Sequence, residues 1–166
     1  MSALYIVLGL VVLQRMVELG YAARNTRRLL ARGGIEAGAI QYPFFIALHA
    51  AWLASMALLI PASRAPNWSL LALYVMLQPL RIWSIVSLGT YWTTRIITVP
   101  GEQLVRRGAY RFFRHPNYIV VCAEIAVLPL AFGATEIAIV FSFLNASLLS
   151  WRIRVEERAL LTRRGL

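Results

Sequence analysis

The chain changes from polar to apolar within the stretch Gly108-Ala-Tyr-Arg-Phe-Phe-Arg-His-Pro-Asn-Tyr118, where a basic and aromatic segment is followed by an apolar run. Proline is favoured in the first turn of a helix, because an N–H group at that position would have no helical partner. The sequence therefore predicts a helix that begins near Pro116. The N–H groups of its first turn would point back at the basic loop and favour a bound anion. The alternative is a loop at the membrane surface whose arginines contact lipid headgroups.

Hydrophobic residues dominate the chain. They make up 60% of its 166 residues, and charged residues make up 14%, whereas soluble domains average about half and a quarter. Such a chain cannot hide its apolar surface in a soluble core, so we expect one membrane-embedded domain over residues 1–166. A helix needs about 20 apolar residues to cross the hydrocarbon core of a bilayer. Five apolar runs are candidates: Ala3 to Ala23, Ile40 to Ile60, Trp68 to Leu88, Asn117 to Phe132 and Thr135 to Trp151.

The last two runs are separated by a short link. Gly133 and Ala134 favour a tight turn, so we expect these runs to form a helical hairpin. A charged segment, Arg152 to Arg164, then continues the fifth helix out of the membrane. The one long polar connection runs from Gly89 to His115 and shows no helical pattern. The predicted fold class is therefore all-α: a polytopic integral membrane protein with about five transmembrane helices and a C-terminal helical hairpin.

All 17 basic residues are arginine, and the net charge is +10. Fourteen of the arginines lie in the first loop, the long connection and the C-terminal segment, whereas Arg64 alone lies in the link between the second and third runs. Because cytoplasmic loops carry the excess of arginine, the N-terminus is predicted outside and the C-terminus in the cytoplasm. Since the arginines flank apolar spans, we expect them to contact membrane lipids and no nucleic acid.

Four ionisable side chains lie inside the spans, at similar depths near their cytoplasmic ends: Arg15, Glu18, Arg81 and Glu124. Charged groups that face lipid are costly, so these four are expected to face one another or a wet cavity. They form either an ion-pair network that ties the helices together or the lining of a reaction cavity, and the two roles are compatible. We assign Arg81 and Glu124 to the cavity as catalytic residues. His49 lies deeper, where a histidine usually makes a hydrogen bond between helices.

Several familiar sites are missing. The sequence has no Gly-x-Gly-x-x-Gly, no lysine for a Walker motif and no Cys/His ligand set, so we expect no metal and no Rossmann-type nucleotide site. Two polar clusters remain and flank the predicted hairpin: Arg114-His115-Pro116-Asn117-Tyr118 and Arg152-x-Arg154-x-Glu156-Glu157. Together they suit a zwitterion, with its carboxylate at arginine and the helix N-terminus and its ammonium at a glutamate. The alternative for Glu156 and Glu157 is a solvated helix end.

These residues resemble the isoprenylcysteine carboxyl methyltransferase family. The resemblance covers about Gln78 to Leu161 and rests on a combination of short motifs: Arg81-x-Trp83, Leu88-Gly89-x-x-Trp92, Gly108-x-Tyr110, Arg114-His115-Pro116-x-Tyr118 and the pair Glu156-Glu157. The first half is similar to a shorter bacterial branch of the family, in its residues Glu18, Arg24-Asn25, Tyr42-Pro43 and His49. Some members of that branch are associated with type III polyketide synthases and methylate alkylpyrones.

The resemblance implies a helical membrane methyltransferase that uses S-adenosylmethionine, in a bacterial inner membrane. It implies a cofactor-binding part at about residues 89–166. The residues that it places at the cofactor are Arg114, His115, Pro116, Tyr118, Arg152, Glu156 and Glu157. The methyl group would go to an oxygen (carboxylate, acidic enol or phenol) of a lipophilic acceptor, such as a prenylcysteine or an alkylpyrone. We expect that acceptor to reach the site from the bilayer, with Arg81 near its reacting oxygen.

Two other function classes stay open at this point. One is a membrane reductase that uses NADPH on a lipid substrate, since the arginine-rich loops offer a phosphate-binding surface. The other is a non-catalytic, lipid-binding membrane subunit. Binding of S-adenosylmethionine separates the methyltransferase from both, whereas the sequence alone selects neither the acceptor nor the oligomeric state.

Overall fold

The computed structural model describes residues 2–163 of the chain. Five long helices account for most of this range: α1 (Ala3–Ala31), α2 (Tyr42–Leu59), α3 (Trp68–Leu88), α4 (Pro116–Ala131) and α5 (Thr135–Arg163). Two strands of three residues each, β1 (Ile35–Ala37) and β2 (Ile96–Thr98), complete the regular structure together with short 3₁₀ turns. The predicted all-α fold class is confirmed.

The helices are apolar enough for a membrane. Within residues 2–163, four helical segments are long and hydrophobic enough to cross a bilayer: Ala3–Ala31, Ala39–Leu59, Trp68–Tyr91 and Thr135–Leu160. The fourth predicted run forms α4, which has 16 residues and is therefore about 24 Å long at 1.5 Å per residue. Although α4 is short, its end meets the α2–α3 link, where the Asn67 amide donates to the carbonyl of Ala131 at 2.7 Å. The structure is thus a polytopic membrane bundle.

Two helices continue past their apolar runs. Helix α1 extends to Ala31, eight residues beyond the predicted end of its run at Ala23, because neither glycine nor proline occurs between Ala23 and Gly33 and arginine is a good helix former. Helix α5 includes both the fifth run and the charged segment, as predicted. The predicted end of that segment at Arg164 lies outside the described residues.

The predicted C-terminal hairpin is confirmed. Gly133 has φ +70°, a conformation that favours glycine. Its amide donates to the carbonyl of Leu130 at 3.0 Å, and the amide of Ala134 donates to Pro129 at 2.9 Å. These bonds reverse the chain between α4 and α5, so the start of α4 lies beside the end of α5.

The apolar core lies at one end of the bundle, which we call the dry end. It is built from the first turns of α1, α2 from Leu48 onward, the first turns of α3, α4 from Val121 onward and the start of α5. Its fully buried large side chains include Leu4, Trp52, Met56, Leu128 and Phe132. Inside a bilayer these side chains stabilise the bundle by van der Waals packing between the helices, since lipid tails are as apolar as the core. The opposite end, where the long connection crosses the bundle, is polar.

The long connection is fixed to the helices at several points. Strand β2 pairs antiparallel with β1, a small sheet that the sequence did not predict. The side chain of Asn25, fully buried on α1, donates to the carbonyl of Trp92 at 2.9 Å. Gly108 has φ +55°, and a Cβ atom there would overlap the Ser87 hydroxyl. Only glycine therefore lets the connection pack this closely on α3, where the Ala109 amide donates to Ser87 Oγ at 3.1 Å.

Candidate active site

A cavity of about 1530 Å³ occupies the polar end of the bundle. All five helices and the long connection contribute to its wall. The hairpin turn at Gly133 is what brings α4 and α5 to the same side of this cavity. The cavity contains two groups of polar side chains, one at its opening and one deeper between the helices.

We call the first group the mouth cluster. It consists of His115, Asn117, Tyr118, Arg152, Glu156 and Glu157, all of which line the cavity. His115 precedes α4, and Asn117 and Tyr118 follow Pro116, which is buried at the first position of that helix and does not itself line the cavity. On α5, Arg152 and Glu156 are four residues apart and so share a helix face, and Glu157 follows Glu156 directly. The structure thus brings together the two sequence motifs that flank the hairpin.

A chain of hydrogen bonds orders the mouth cluster. Arg152 Nε donates to the Tyr118 hydroxyl at 2.8 Å, and that hydroxyl donates to Glu156 Oε2 at 2.6 Å. The His115 ring stacks on the Tyr118 ring, with centroids 5.0 Å apart and planes 7° apart. His115 Nδ1 lies 3.9 Å from Glu156 Oε2. Tyr118 is therefore the hub that sets the positions of Arg152, Glu156 and His115.

Arg152 is fixed on its other sides as well. Its Nη2 donates to the carbonyl of Thr94 at 3.1 Å, and its guanidinium lies 5.2 Å from the centroid of the Phe45 ring. Arg152 is only 8% exposed. It therefore holds the connection, α2 and α5 together around the opening, rather than extending into the cavity as a free cation.

Other groups at the mouth are left for a ligand. Asn117 Oδ1 is buried and accepts no hydrogen bond within the described chain. Glu157 and Arg114 are exposed and line the opening. Burial, and secondly the charge of Glu156, raises the pKa of the Tyr110 phenol, so this lining hydroxyl stays protonated and able to donate. Carboxylates, an amide oxygen and a phenol in one pocket suit a ligand that carries an ammonium and an amino group.

The second group lies deeper, and we call Arg15, Glu18, Arg81 and Glu124 the inner cluster. Arg81 donates to both oxygens of Glu18, at 2.6 Å each, and to Glu124 Oε2 at 2.9 Å. Arg15 donates to Glu124 Oε2 at 2.7 Å and to Glu18 Oε2 at 3.0 Å. The prediction that these four residues meet is confirmed, and their formal charges cancel.

The inner cluster differs from the prediction in one respect. Arg15, Glu18 and Arg81 line the cavity, but Glu124 is fully buried and is not among the lining residues. Both arginines that line the cavity donate to its carboxylate, Arg15 from α1 and Arg81 from α3. The structure thus corrects the expectation that Glu124 lines the cavity, and gives it the position of a counter-ion behind the two guanidinium groups.

The guanidinium groups keep unused donors. Arg81 has five N–H groups, of which three donate to carboxylates in the described part of the chain. Arg15 Nε is buried and has no hydrogen-bond partner among the described residues. A cavity-lining arginine with an unsatisfied buried N–H can bind an oxygen of a ligand.

His49 also lines the cavity, between the two clusters. Its Nδ1 lies 2.9 Å from the carbonyl oxygen of Phe45, one turn earlier on α2. The expectation of a hydrogen bond to another helix is therefore wrong for this nitrogen, because the nearest carbonyl is that of its own helix.

Sequence reasoning missed three polar residues of these clusters. Gln78 donates to Glu124 Oε1 at 3.0 Å, and Gln14 donates to the oxygen of the Gln78 side chain at 2.9 Å. Their spacing was a usable signal, since Gln14 is four residues before Glu18, Gln78 is three before Arg81, and residues three or four apart share a helix face. Asn117 lies within a motif that the sequence singled out. Within the described residues, no group of three or more His, Cys, Asp or Glu side chains is placed to hold a metal ion.

Comparison with known proteins points to one family. The model of the isoprenylcysteine carboxyl methyltransferase (ICMT) family matches residues 70–162, which contain both predicted cofactor motifs. The chain is 36% identical over 160 residues to the uncharacterized protein YpbQ of Bacillus subtilis, covering 94% of this chain and 95% of that one. It is 27% identical over 154 residues to an uncharacterized protein of Haemophilus influenzae, with 88% of each chain covered. No solved structure matches the chain significantly. This chain belongs to the isoprenylcysteine carboxyl methyltransferase family.

Proposed function

We propose that this protein transfers the methyl group of S-adenosylmethionine to an oxygen of a lipophilic acceptor. Family membership supports a membrane methyltransferase. The observation that supports the finer proposal is the mouth cluster, whose unpaired acceptors open into a cavity that continues to the inner cluster. In this proposal the cofactor-binding part spans about residues 89–166 of one membrane-embedded domain.

The mouth cluster fits the cofactor by its chemistry. The carboxylates of Glu156 and Glu157 would bind its ammonium group, and Arg114 would bind its carboxylate. The orphaned Asn117 Oδ1 would accept from one of its N–H groups. When bound, S-adenosylmethionine supplies a methyl group that is already activated by its sulfonium. The protein must then chiefly bind both reactants, align them and exclude water.

The inner cluster fits the reacting oxygen of the methyl acceptor. Arg81 and Arg15 would donate their unused N–H groups to the reacting oxygen and stabilise its negative charge. Glu18 and Glu124 would hold the two guanidinium groups in position, so Glu124 acts in this proposal through the arginines rather than on the substrate. A carboxylate acceptor is already ionised at neutral pH and needs no general base.

The acceptor's tail would lie along apolar parts of the cavity. Val12 and Met16 of α1 and Ile46 and Leu53 of α2 line the wall beside the inner cluster. This wall offers a route from the bilayer to the inner cluster. Each buried CH₂ group contributes about 0.8 kcal/mol. Affinity should therefore rise with tail length until the wall is covered, and equal affinities for tailless and long-tailed acceptors would contradict this route.

We also propose the orientation that the arginines favour, with the mouth cluster at the cytoplasmic face of a bacterial inner membrane. The support is the charge bias and the end of the bundle at which the cavity lies. In a Cys122→Ala background, Ser63→Cys should react with a membrane-impermeant thiol reagent on intact cells, whereas Thr162→Cys should not. The opposite labelling pattern would contradict the orientation.

Binding of ligands to the purified protein tests the function. S-adenosylmethionine and its demethylated product should each raise the unfolding temperature and give a saturable heat of binding, because both carry the groups that the mouth cluster matches. NADPH should do neither. Stabilisation by NADPH alone would favour a reductase, and stabilisation by none of the three would favour a non-catalytic lipid-binding subunit.

A further inference from the structure

We propose that His49 is a catalytic residue, which takes the proton from an acceptor whose reacting oxygen is a hydroxyl. This inference rests on the proposed methyl transfer and extends it, since a carboxylate acceptor needs no base whereas a hydroxyl does. A phenol has a pKa of about 10, so roughly one molecule in a thousand is ionised at neutral pH.

The carboxylates of the inner cluster are poor candidates for this role. Glu18 accepts hydrogen bonds from Arg81, Arg15 and Gln14. Glu124 accepts from Arg81, Arg15 and Gln78 and does not line the cavity. Hydrogen bonds from cations to a carboxylate favour its charged form and weaken it as a base. A proton acceptor for the substrate must therefore come from elsewhere in the wall.

His49 has the required nitrogen. A backbone carbonyl oxygen can only accept, so the 2.9 Å bond to Phe45 places the hydrogen of the neutral imidazole on Nδ1. Nε2 then carries the lone pair. This bond fixes the tautomer and holds the ring in the way that general-base histidines require. The Trp52 ring system lies beside the imidazole, with centroids 6.5 Å apart and planes at 80°, so the imidazole has a defined orientation.

The location of His49 suits a general base, because it lies between the sites proposed for the methyl donor and for the methyl acceptor. Phe45, whose carbonyl holds His49, also lies under the Arg152 guanidinium of the mouth cluster. His49 is four residues further along α2, which places it about 6 Å deeper. It lines the same cavity as Arg15 and Arg81. Arg15 Nε, the orphaned buried donor, can stabilise the oxygen from which the imidazole removes the proton.

The step balances. The hydroxyl proton moves to His49 Nε2, and the oxygen's electron pair forms the bond to the methyl carbon. The carbon–sulfur bond breaks with its electron pair staying on sulfur, which loses its positive charge. The imidazolium then releases its proton to water through the open mouth. The overall products are the methyl ether, the thioether and one proton.

The charged groups around His49 come from four helices. They are Arg15 and Glu18 of α1, Arg81 of α3, Glu124 of α4 and Arg152 of α5. The two arginines and two glutamates of the inner cluster cancel in formal charge. Protonation of Nε2 at low pH removes the lone pair, so methylation of a hydroxyl acceptor should fall on the acid side of its pH profile. The glutamine side chain does not titrate near neutral pH, so the pH profile of His49→Gln should not show this fall on its acid side.

A first experiment needs no cofactor. The chain has two histidines, so the spectrum of protein labelled with ¹⁵N-histidine has two sets of ring signals, and His115→Gln identifies those of His49. A long-chain phenol should shift the His49 Nε2 signal toward that of a hydrogen-bonded nitrogen. The methyl ether of the same phenol binds with the same tail but has no hydroxyl proton, and should cause a much smaller shift. Equal shifts would contradict the inference.

A second experiment compares two acceptors with matched tails, a phenol and a prenylcysteine carboxylate. A general base contributes about 10²–10⁴-fold, so His49→Gln should lower kcat for the phenol by on the order of 100-fold, and far more than for the carboxylate. Trp52→Phe is the matched control, because it alters the ring next to His49 without removing the base, and the ratio of the two rates should stay near that of the wild type.

The outcomes separate the inference from the proposed function. If the wild-type protein binds no S-adenosylmethionine and methylates neither acceptor, the proposed function fails and the inference fails with it. If the wild type methylates only the carboxylate, or if His49→Gln lowers both rates by the same factor, the inference alone is wrong. A selective loss with the phenol, together with loss of the acid limb, supports it.

Discussion

The mouth cluster and the inner cluster line the same cavity but differ in how fully the protein pairs their charges. In the inner cluster, two arginines and two glutamates bond to one another, and both oxygens of each carboxylate accept hydrogen bonds. In the mouth cluster, Glu157 is exposed, as is the neighbouring Arg114, and Asn117 Oδ1 is buried without a partner in the described chain.

This difference separates two roles. Charges that satisfy one another hold helices in place, whereas polar groups that the protein leaves unsatisfied in a pocket are available to a ligand. The inner cluster connects α1, α3 and α4 through buried ion pairs. The mouth cluster joins the long connection, α4 and α5, and its remaining acceptors are the ones that our proposal gives to the cofactor. Substitutions in the two clusters should therefore change different quantities.

The largest effect is expected for Glu124→Ala. It leaves the guanidinium groups of Arg15 and Arg81 without their shared buried carboxylate, and loss of one member of a buried ion pair costs about 3–5 kcal/mol. The free energy of unfolding in mixed micelles is the measurement. Glu136→Ala is the control, since Glu136 is exposed in the first turn of α5. If Glu124→Ala destabilises no more than the control, the inner cluster does not hold the helices together.

A smaller effect, on a different quantity, is expected for Glu156→Gln. The amide can still accept from Tyr118, but the negative charge for the cofactor's ammonium is lost. Loss of one charge-assisted hydrogen bond costs about 1.5–3 kcal/mol, so the dissociation constant for S-adenosylmethionine should rise by about tenfold to a hundredfold. Glu157→Gln should act in the same direction, and Glu136→Gln should not. Normal binding by both variants would mean that the two glutamates are only a solvated helix end.

The smallest effect is expected at the ion pair between Arg95 and Glu36, which joins the long connection to β1 at 3.0 Å. The Arg95 side chain is 39% exposed, so water and salt screen the pair. Glu36→Gln should cost at most about 1 kcal/mol of unfolding free energy and less at high salt. If Glu36→Gln lowers the free energy of unfolding as much as Glu124→Ala, burial does not explain the difference between the exposed ion pair and the buried ones.

Much of the fold follows from the sequence for simple reasons. Long apolar runs separated by Pro61, the arginine-rich segments and Gly133 fix the number of helices and the hairpin. The sheet between β1 and β2 was not predicted, because its strands have three residues each and lie about 60 positions apart. No local pattern reports a pairing of that kind.

The sequence predicted which residues form the site better than it predicted how their side chains are oriented. The motifs at the start of α4 and on α5 predicted that Tyr118 and Glu156 lie close together, since a hairpin joins them. Depth in the membrane predicted that Arg81 and Glu124 meet. The rotation of each helix about its axis decides whether Arg81 or Glu124 faces the cavity. The sequence does not determine this rotation for Glu124. The bond of His49 to its own helix depends on a side-chain rotamer, which is equally invisible in the sequence.

The most direct test of the division between the clusters is a paired measurement of cofactor affinity and turnover in Glu156→Gln and Arg81→Lys. Lysine keeps the positive charge near Glu18 and Glu124, so the second variant limits the loss of stability. We expect Glu156→Gln to raise the dissociation constant for S-adenosylmethionine by about tenfold to a hundredfold, with a much smaller change in kcat at saturating cofactor. We expect Arg81→Lys to lower kcat while the dissociation constant stays within about twofold, which is under 0.5 kcal/mol. If both variants change the same quantity by similar factors, the two clusters do not divide cofactor binding from the acceptor's chemistry, and the account is wrong.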